Sequence, residues 1–244
     1  MALVLSGLLL LVGLFEDRLS FLSGGIGNAG IYLMYALFFL MFMQRTGSWD
    51  PSLFSMKKRD AKPMLMGIVS SLLLAARGYK ALDGLQSLDE NILALMMLML
   101  NALGIEMFFR VYGAYIFGGT DDMGVNDYIF TSAVYGVFMG VLGIIAKLGS
   151  GSPAVYLQSF GIACITGFFM GLMIMAVYAR TDSLIAAVIL NVLCNLGGLF
   201  ALNSSSGSGL GILGTVFGFL GCLACLGTAA SLIPGNVRHY SDHD

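Results

Sequence analysis

Asn91-Ile-Leu-Ala-Leu-Met-Met-Leu-Met-Leu-Asn-Ala-Leu-Gly-Ile-Glu106-Met-Phe-Phe-Arg110-Val-Tyr-Gly-Ala-Tyr-Ile-Phe-Gly118 is an apolar run interrupted by one carboxylate and one guanidinium. A helix needs about 20 apolar residues to cross the roughly 30 Å hydrocarbon core of a bilayer, and this run is long enough. A charge at mid-membrane costs roughly 2.5–3.5 kcal/mol on insertion scales, so such groups pair and face the protein interior. Glu106 and Arg110 stand four residues apart with the acid first, the favourable order for an ion pair along a helix. They are therefore a functional-site candidate, with a buried pair that only fixes helix packing as the competing account.

The rest of the chain has the same character. Of its 244 residues, 58% are hydrophobic and 11% charged, and the mean hydropathy is +0.88. Soluble domains carry about twice that share of charge. Further apolar stretches at about 2–15, 27–43, 64–80, 128–147, 156–179, 183–202 and 210–233 join the opening run, read as a span over 91–117. The expected fold is all-α, a polytopic bundle of about eight transmembrane helices. Segment 2–15 has no basic residue before it and is followed by Glu16-Asp17-Arg18 instead of a small-residue cleavage site, which argues for a retained helix over a signal peptide. The glycine-rich 210–233 segment reads as a packed helix, not a lipid-facing one.

Lys and Arg accumulate in cytoplasmic loops. The loop 44–63 holds Arg45, Lys57, Lys58, Arg59 and Lys62, which places it inside, and eight spans then put both termini in the cytoplasm. Lys57-Lys58-Arg59 is a topology signal that also suits anionic headgroups. With no transit peptide or retention signal in view, the default location is a prokaryotic cytoplasmic membrane. A net charge of −2 offers nothing to nucleic acid. One membrane domain is expected over 1–244, with a core at about 91–202, a flexible loop at Asn203 to Gly209 and a short cytoplasmic tail at 234–244.

The two histidines, His239 and His243, both lie in that tail. Cys222-x-x-Cys225 has the spacing of a redox or zinc pair, but Leu, Gly and Ala surround it and no histidine or second pair completes a tetrahedral site. No metal and no cofactor is expected. The methionines of Leu95 to Leu100 read as apolar filling. Gly136-x-x-x-Gly140, Gly167-x-x-x-Gly171 and Gly214-x-x-x-Gly218 give three late helices small faces on which backbones can approach.

Asn191 and Asn195 repeat the four-residue spacing in a late apolar segment. Three stretches together then resemble a known family: Ile105-Glu106-x-x-x-Arg110; Gly167-Phe-Phe-Met-Gly171 with Tyr178-Ala-Arg180-Thr181-Asp182-Ser183-Leu184; and Asn191-x-x-x-Asn195. In that order they are similar to the CPBP or Abi family, which includes CAAX prenyl endopeptidases and bacteriocin-processing or self-immunity proteins. These are multi-helix intramembrane glutamate proteases, so the resemblance implies a helical bundle around an interior cavity.

The same comparison bears on activity. The family reads Glu-Glu-x-x-x-Arg, Phe-x-x-x-His and His-x-x-x-Asn, with Leu-Arg-Thr-Gly-Ser-Leu at the turn. Glu106, Arg110 and Asn195 keep family positions. Ile105 stands where the water-activating glutamate is expected, Met139 of Tyr135-Gly-Val-Phe-Met139 replaces one histidine, and Asn191 replaces the other. Peptide hydrolysis needs a base for water and donors for the oxyanion, and a carboxylate held against a guanidinium is a poor proton acceptor. The expectation is a non-catalytic relative, a scaffold or binding subunit whose partners are membrane lipids and another integral membrane protein or transmembrane segment. A residual endopeptidase with Glu106 as base is the alternative. Transport through Glu106 is a third class, but the inverted repeats or broken helices it calls for are not evident.

Overall fold

In a computed structural model of the chain the described residues are 37, 40–41, 43–47, 54, 61–78, 88–145, 152–203 and 211–233. The expected span 2–15 lies outside them, as do residues 204–209 and the tail 234–244, and 27–43 meets them only near its end; Asn203, expected to open a loop, is the last residue of a helix. Among the described residues the structure is helical without strands. The helices are α1 (Ala61–Ala75), α2 (Leu88–Glu106), a π-helical segment (Met107–Tyr112), α3 (Gly113–Ile116), α4 (Val125–Ile145), α5 (Pro153–Thr181), α6 (Leu184–Asn203) and α7 (Gly211–Leu232). Each expected span from residue 64 onward falls on one of these. Val125–Ile144, Pro153–Thr181 and Ile212–Leu232 are long and apolar enough to cross a bilayer, and Leu184–Gly197 is apolar but shorter. The protein is an integral membrane protein.

Helix α5 is the centre. It packs on α1, α4, α6 and α7, and every residue from Met170 to Tyr178 is buried, as befits a helix apolar all round. Its neighbours come close because glycines face one another. A Cβ on Gly136 would lie 2.7 Å from the Cys164 carbonyl oxygen and 3.0 Å from the Phe168 nitrogen, and one on Gly167 would lie 2.7 Å from the Met139 Cβ. Gly171 faces the Tyr135 side chain. The paired four-residue glycine spacings of α4 and α5 are thus the seam between them. Across the bundle, Gly197 of α6 meets the Ala75 carbonyl and Gly78.

The last helix departs from its reading as a packed one. Ile212, Val216, Phe219 and Leu223 are all exposed and recur at helical spacing along one side of α7, so α7 is peripheral with a lipid-facing stripe. Glycine count misleads because only glycines on the contact face matter. Gly221 presses on the Leu74 backbone, Gly218 only grazes the Arg77 Cβ at 3.9 Å, and Gly227 has open space around it. The buried side of α7 is closed by the hydroxyl pair Thr228 and Ser70, 2.9 Å apart.

The α5–α6 connection is short. Asp182 takes the left-handed conformation, with φ 49° and its N–H bonded to the Tyr178 carbonyl at 2.7 Å. Ser183 then caps α6, its Oγ accepting from the Ala186 N–H at 3.4 Å. The related motif has glycine where this chain has Asp182, and a left-handed backbone is the reason glycine suits that position.

The α4–α5 seam predicts that Gly136→Ala costs about 1–3 kcal/mol, since the added methyl meets backbone atoms that cannot move aside. Gly161→Ala on α5, where a Cβ meets nothing within 4 Å, is expected to be neutral or to gain up to about 1 kcal/mol from helix propensity. Thermal unfolding of the two variants in one detergent checks this; equal melting would place the close contact elsewhere.

Candidate functional site

Glu106 is the last residue of α2, and the chain then widens into the π segment Met107–Tyr112. The Gly113 N–H reaches the Phe108 carbonyl five residues back, the hydrogen bond that defines a π turn and a feature frequent at functional sites. Five of its six residues, Met107 to Val111, are buried. Phe109 locks the segment onto α4, edge-on to the Tyr135 ring at 4.9 Å and tilted against Phe138 at 5.2 Å.

On this frame the two charges meet. Arg110 Nε donates to Glu106 Oε2 at 2.6 Å, and both side chains are fully buried. The Arg110 Cζ also lies 4.8 Å from the centroid of the Tyr135 ring, within range of a cation–π attraction. The second carboxylate oxygen, Oε1, accepts from Asn191 Nδ2 of α6. That same nitrogen donates to the Tyr135 hydroxyl at 3.1 Å. Asn195 stands behind: its Nδ2 donates to the Asn191 side-chain oxygen at 2.8 Å and to the Asn191 carbonyl at 3.0 Å. Both oxygens of Glu106 are therefore engaged, and the amide of Asn191 is turned toward the carboxylate by its neighbour one turn along.

The structure thus gathers Glu106, Arg110, Asn191 and Asn195 into one network drawn from the α2–π junction and α6, buried except at the half-buried Asn195. Ile105 and Met139 stand outside it. Ile105 is part of the apolar core, and Met139 lies half-buried against Gly167. Tyr135 is a member that sequence reasoning passed over. The signal was available, since the related motif has phenylalanine there and a phenol adds a hydroxyl to an otherwise apolar helix.

Two donors are left over. Arg110 Nη1 and Nη2 are buried with no hydrogen-bond partner among the described residues, which is costly for a charged group. The network is otherwise closely packed, and the recess described in this structure is lined instead by Lys62, Pro63, Met66, Arg180, Ser231 and Leu232.

A pair this deep depends on both members. Glu106→Ala, which leaves a buried guanidinium uncompensated, is expected to cost about 3–5 kcal/mol, whereas the double change with Arg110→Met removes the charge and recovers most of that loss. Unfolding of the single and double variants measures the difference, and additive losses would mean the two side chains do not stabilise one another.

Residues 88–197 match the family model described as type II CAAX prenyl endopeptidase Rce1-like, a segment that contains every member of the network. No curated protein matches the chain, and no solved structure does. Over residues 88–197, a little under half of its length, the chain is similar to the Rce1-like type II CAAX prenyl endopeptidases.

Proposed function

We propose that this chain is a non-catalytic Rce1-like membrane protein, a binding or scaffolding subunit that holds a hydrophobic or prenylated segment of another membrane protein without cutting it. One observation carries this reading: the site has spare hydrogen-bond donors and no spare base. Arg110 has two buried nitrogens without an acceptor among the described residues, whereas both oxygens of Glu106 are occupied by Arg110 and Asn191.

Donors of this kind suit a peptide carbonyl or carboxylate, because a charged hydrogen bond in a dry site contributes about 1.5–3 kcal/mol. Cleavage requires more. A carboxylate must be free to take a proton from water, and Ile105, in the position of the family's water-activating glutamate, has no group that can. Met139 and Asn191 likewise supply no imidazole. Each missing acid–base or oxyanion contribution removes about 10²–10⁴-fold of rate, so the losses together leave binding as the activity that survives.

A fluorescent farnesylated peptide ending in a Cys-aliphatic-aliphatic-X sequence provides the test. Incubated with the full chain in lipid nanodiscs, it is expected to bind saturably and to remain uncut. Arg110→Lys keeps a cation beside Glu106 but removes donors, and should weaken binding about tenfold or more. A cleavage product that Glu106→Gln abolishes would overturn the proposal in favour of a residual protease. Absence of binding, together with purification in mild detergent free of any partner, would overturn it in favour of neither role.

A further inference from the structure

A second polar feature lies at one end of the bundle, away from the buried network. The recess there has a volume of about 200 Å³ and is lined by Lys62, Pro63, Met66, Arg180, Ser231 and Leu232. Its two ionisable side chains are both cationic. Lys62 and Arg180 are exposed, Pro63 and Leu232 are buried and Met66 is half-buried, so the recess has a charged mouth over an apolar floor.

Three helix ends meet at this point: the start of α1, the end of α5 and the end of α7. The Arg180 Nε donates to the Leu232 carbonyl at 2.8 Å, which fixes the guanidinium at the mouth and offsets the negative C-terminal end of α7. The N-terminal end of α1 adds the favourable pole of a 15-residue helix. The negative poles of α5 and α7 oppose an anion, so the attraction comes from the Lys62 and Arg180 side chains and the start of α1.

The neighbouring surface gives the anion's chemistry. From Lys62, the residues Leu65, Val69 and Leu72 follow at spacings of three, four and three along one side of α1, and all are exposed, Leu65 at 65% and Val69 at 53%. A cation at the end of an apolar helix, continued by an apolar stripe, matches an amphiphile with a negative head and hydrocarbon tails. Basic pockets between membrane helices at the interface are where anionic headgroups bind.

We propose that this recess is a binding site for a phosphate-bearing anion, the headgroup of an anionic phospholipid whose acyl chains lie along Leu65, Val69 and Leu72. The site is independent of Glu106 and of any role in holding a peptide. The full chain in a neutral detergent, titrated separately with phosphatidylglycerol, phosphatidylcholine of the same acyl chains and inorganic phosphate, tests it through thermal unfolding. The expected result is a saturable rise in Tm with phosphatidylglycerol, little with phosphatidylcholine, and an apparent affinity about tenfold weaker in Lys62→Gln and in Arg180→Gln. An equal rise with inorganic phosphate alone would keep the anion site and assign it to soluble phosphate. Because Arg180 also caps α7, Lys62→Gln is the decisive variant: a response identical to that of the unaltered chain, or equal shifts by both lipids, would overturn the proposal.

Discussion

An ion pair sealed from both water and lipid governs this molecule. Glu106 and Arg110 are without solvent exposure, and in such surroundings a charge deprived of its partner costs several kcal/mol. The helices must therefore close around the pair. Hydrophobic burial cannot do this alone, because lipid tails are as apolar as leucine and helices in a bilayer associate through packing and polar contacts instead. Asn191 ties α6 to the carboxylate, Tyr135 brings in α4, and the glycine seam holds α4, which carries that tyrosine, close against α5.

Much of this was legible in the amino-acid order. Apolar length marks helices in the amino-acid order, so α1, α2 and α4 to α7 are legible there as helices. The four-residue spacings of Glu106 with Arg110 and Asn191 with Asn195 anticipated two halves of one network, since four residues bring side chains to the same face of a helix. Other features had no such signature. A π turn differs from an α turn by a shift of backbone hydrogen bonds, and Met107-Phe-Phe-Arg-Val-Tyr112 contains no residue that demands it. The lipid-facing side of α7 was hidden by counting glycines without regard to their angular position. The Arg180 cap on Leu232 joins residues 52 apart in the chain, beyond what any local pattern can express.

The network also shows how a site can change its chemistry while keeping its shape. Amide, phenol and guanidinium groups hold fixed hydrogen-bonding roles, whereas imidazole exchanges protons near neutral pH. With Asn191 at the centre, the amide donors have assigned acceptors, Asn195 giving to Asn191 and Asn191 giving to Glu106 and Tyr135, and the outer nitrogens of Arg110 are the donors left over among the described residues. Such an arrangement positions groups well and moves protons poorly. Tyr135 extends the same trend, since its added hydroxyl draws α4 into a set of contacts that otherwise joins only the π segment and α6.

The turn at Asp182 and Ser183 has a consequence for how tolerant the chain is of change. Two residues leave no slack, so the rotation of α6 about its own axis is dictated by where α5 stops. One inserted or deleted residue in that elbow would swing α6 by about 100°, carrying both asparagines away from the carboxylate in a single movement. The left-handed step at Asp182 accepts aspartate in place of glycine because short polar side chains tolerate that conformation. The elbow's length accepts no such change: the elbow acts as the gear that sets the phase between the structural spine of the bundle and the polar groups at its heart.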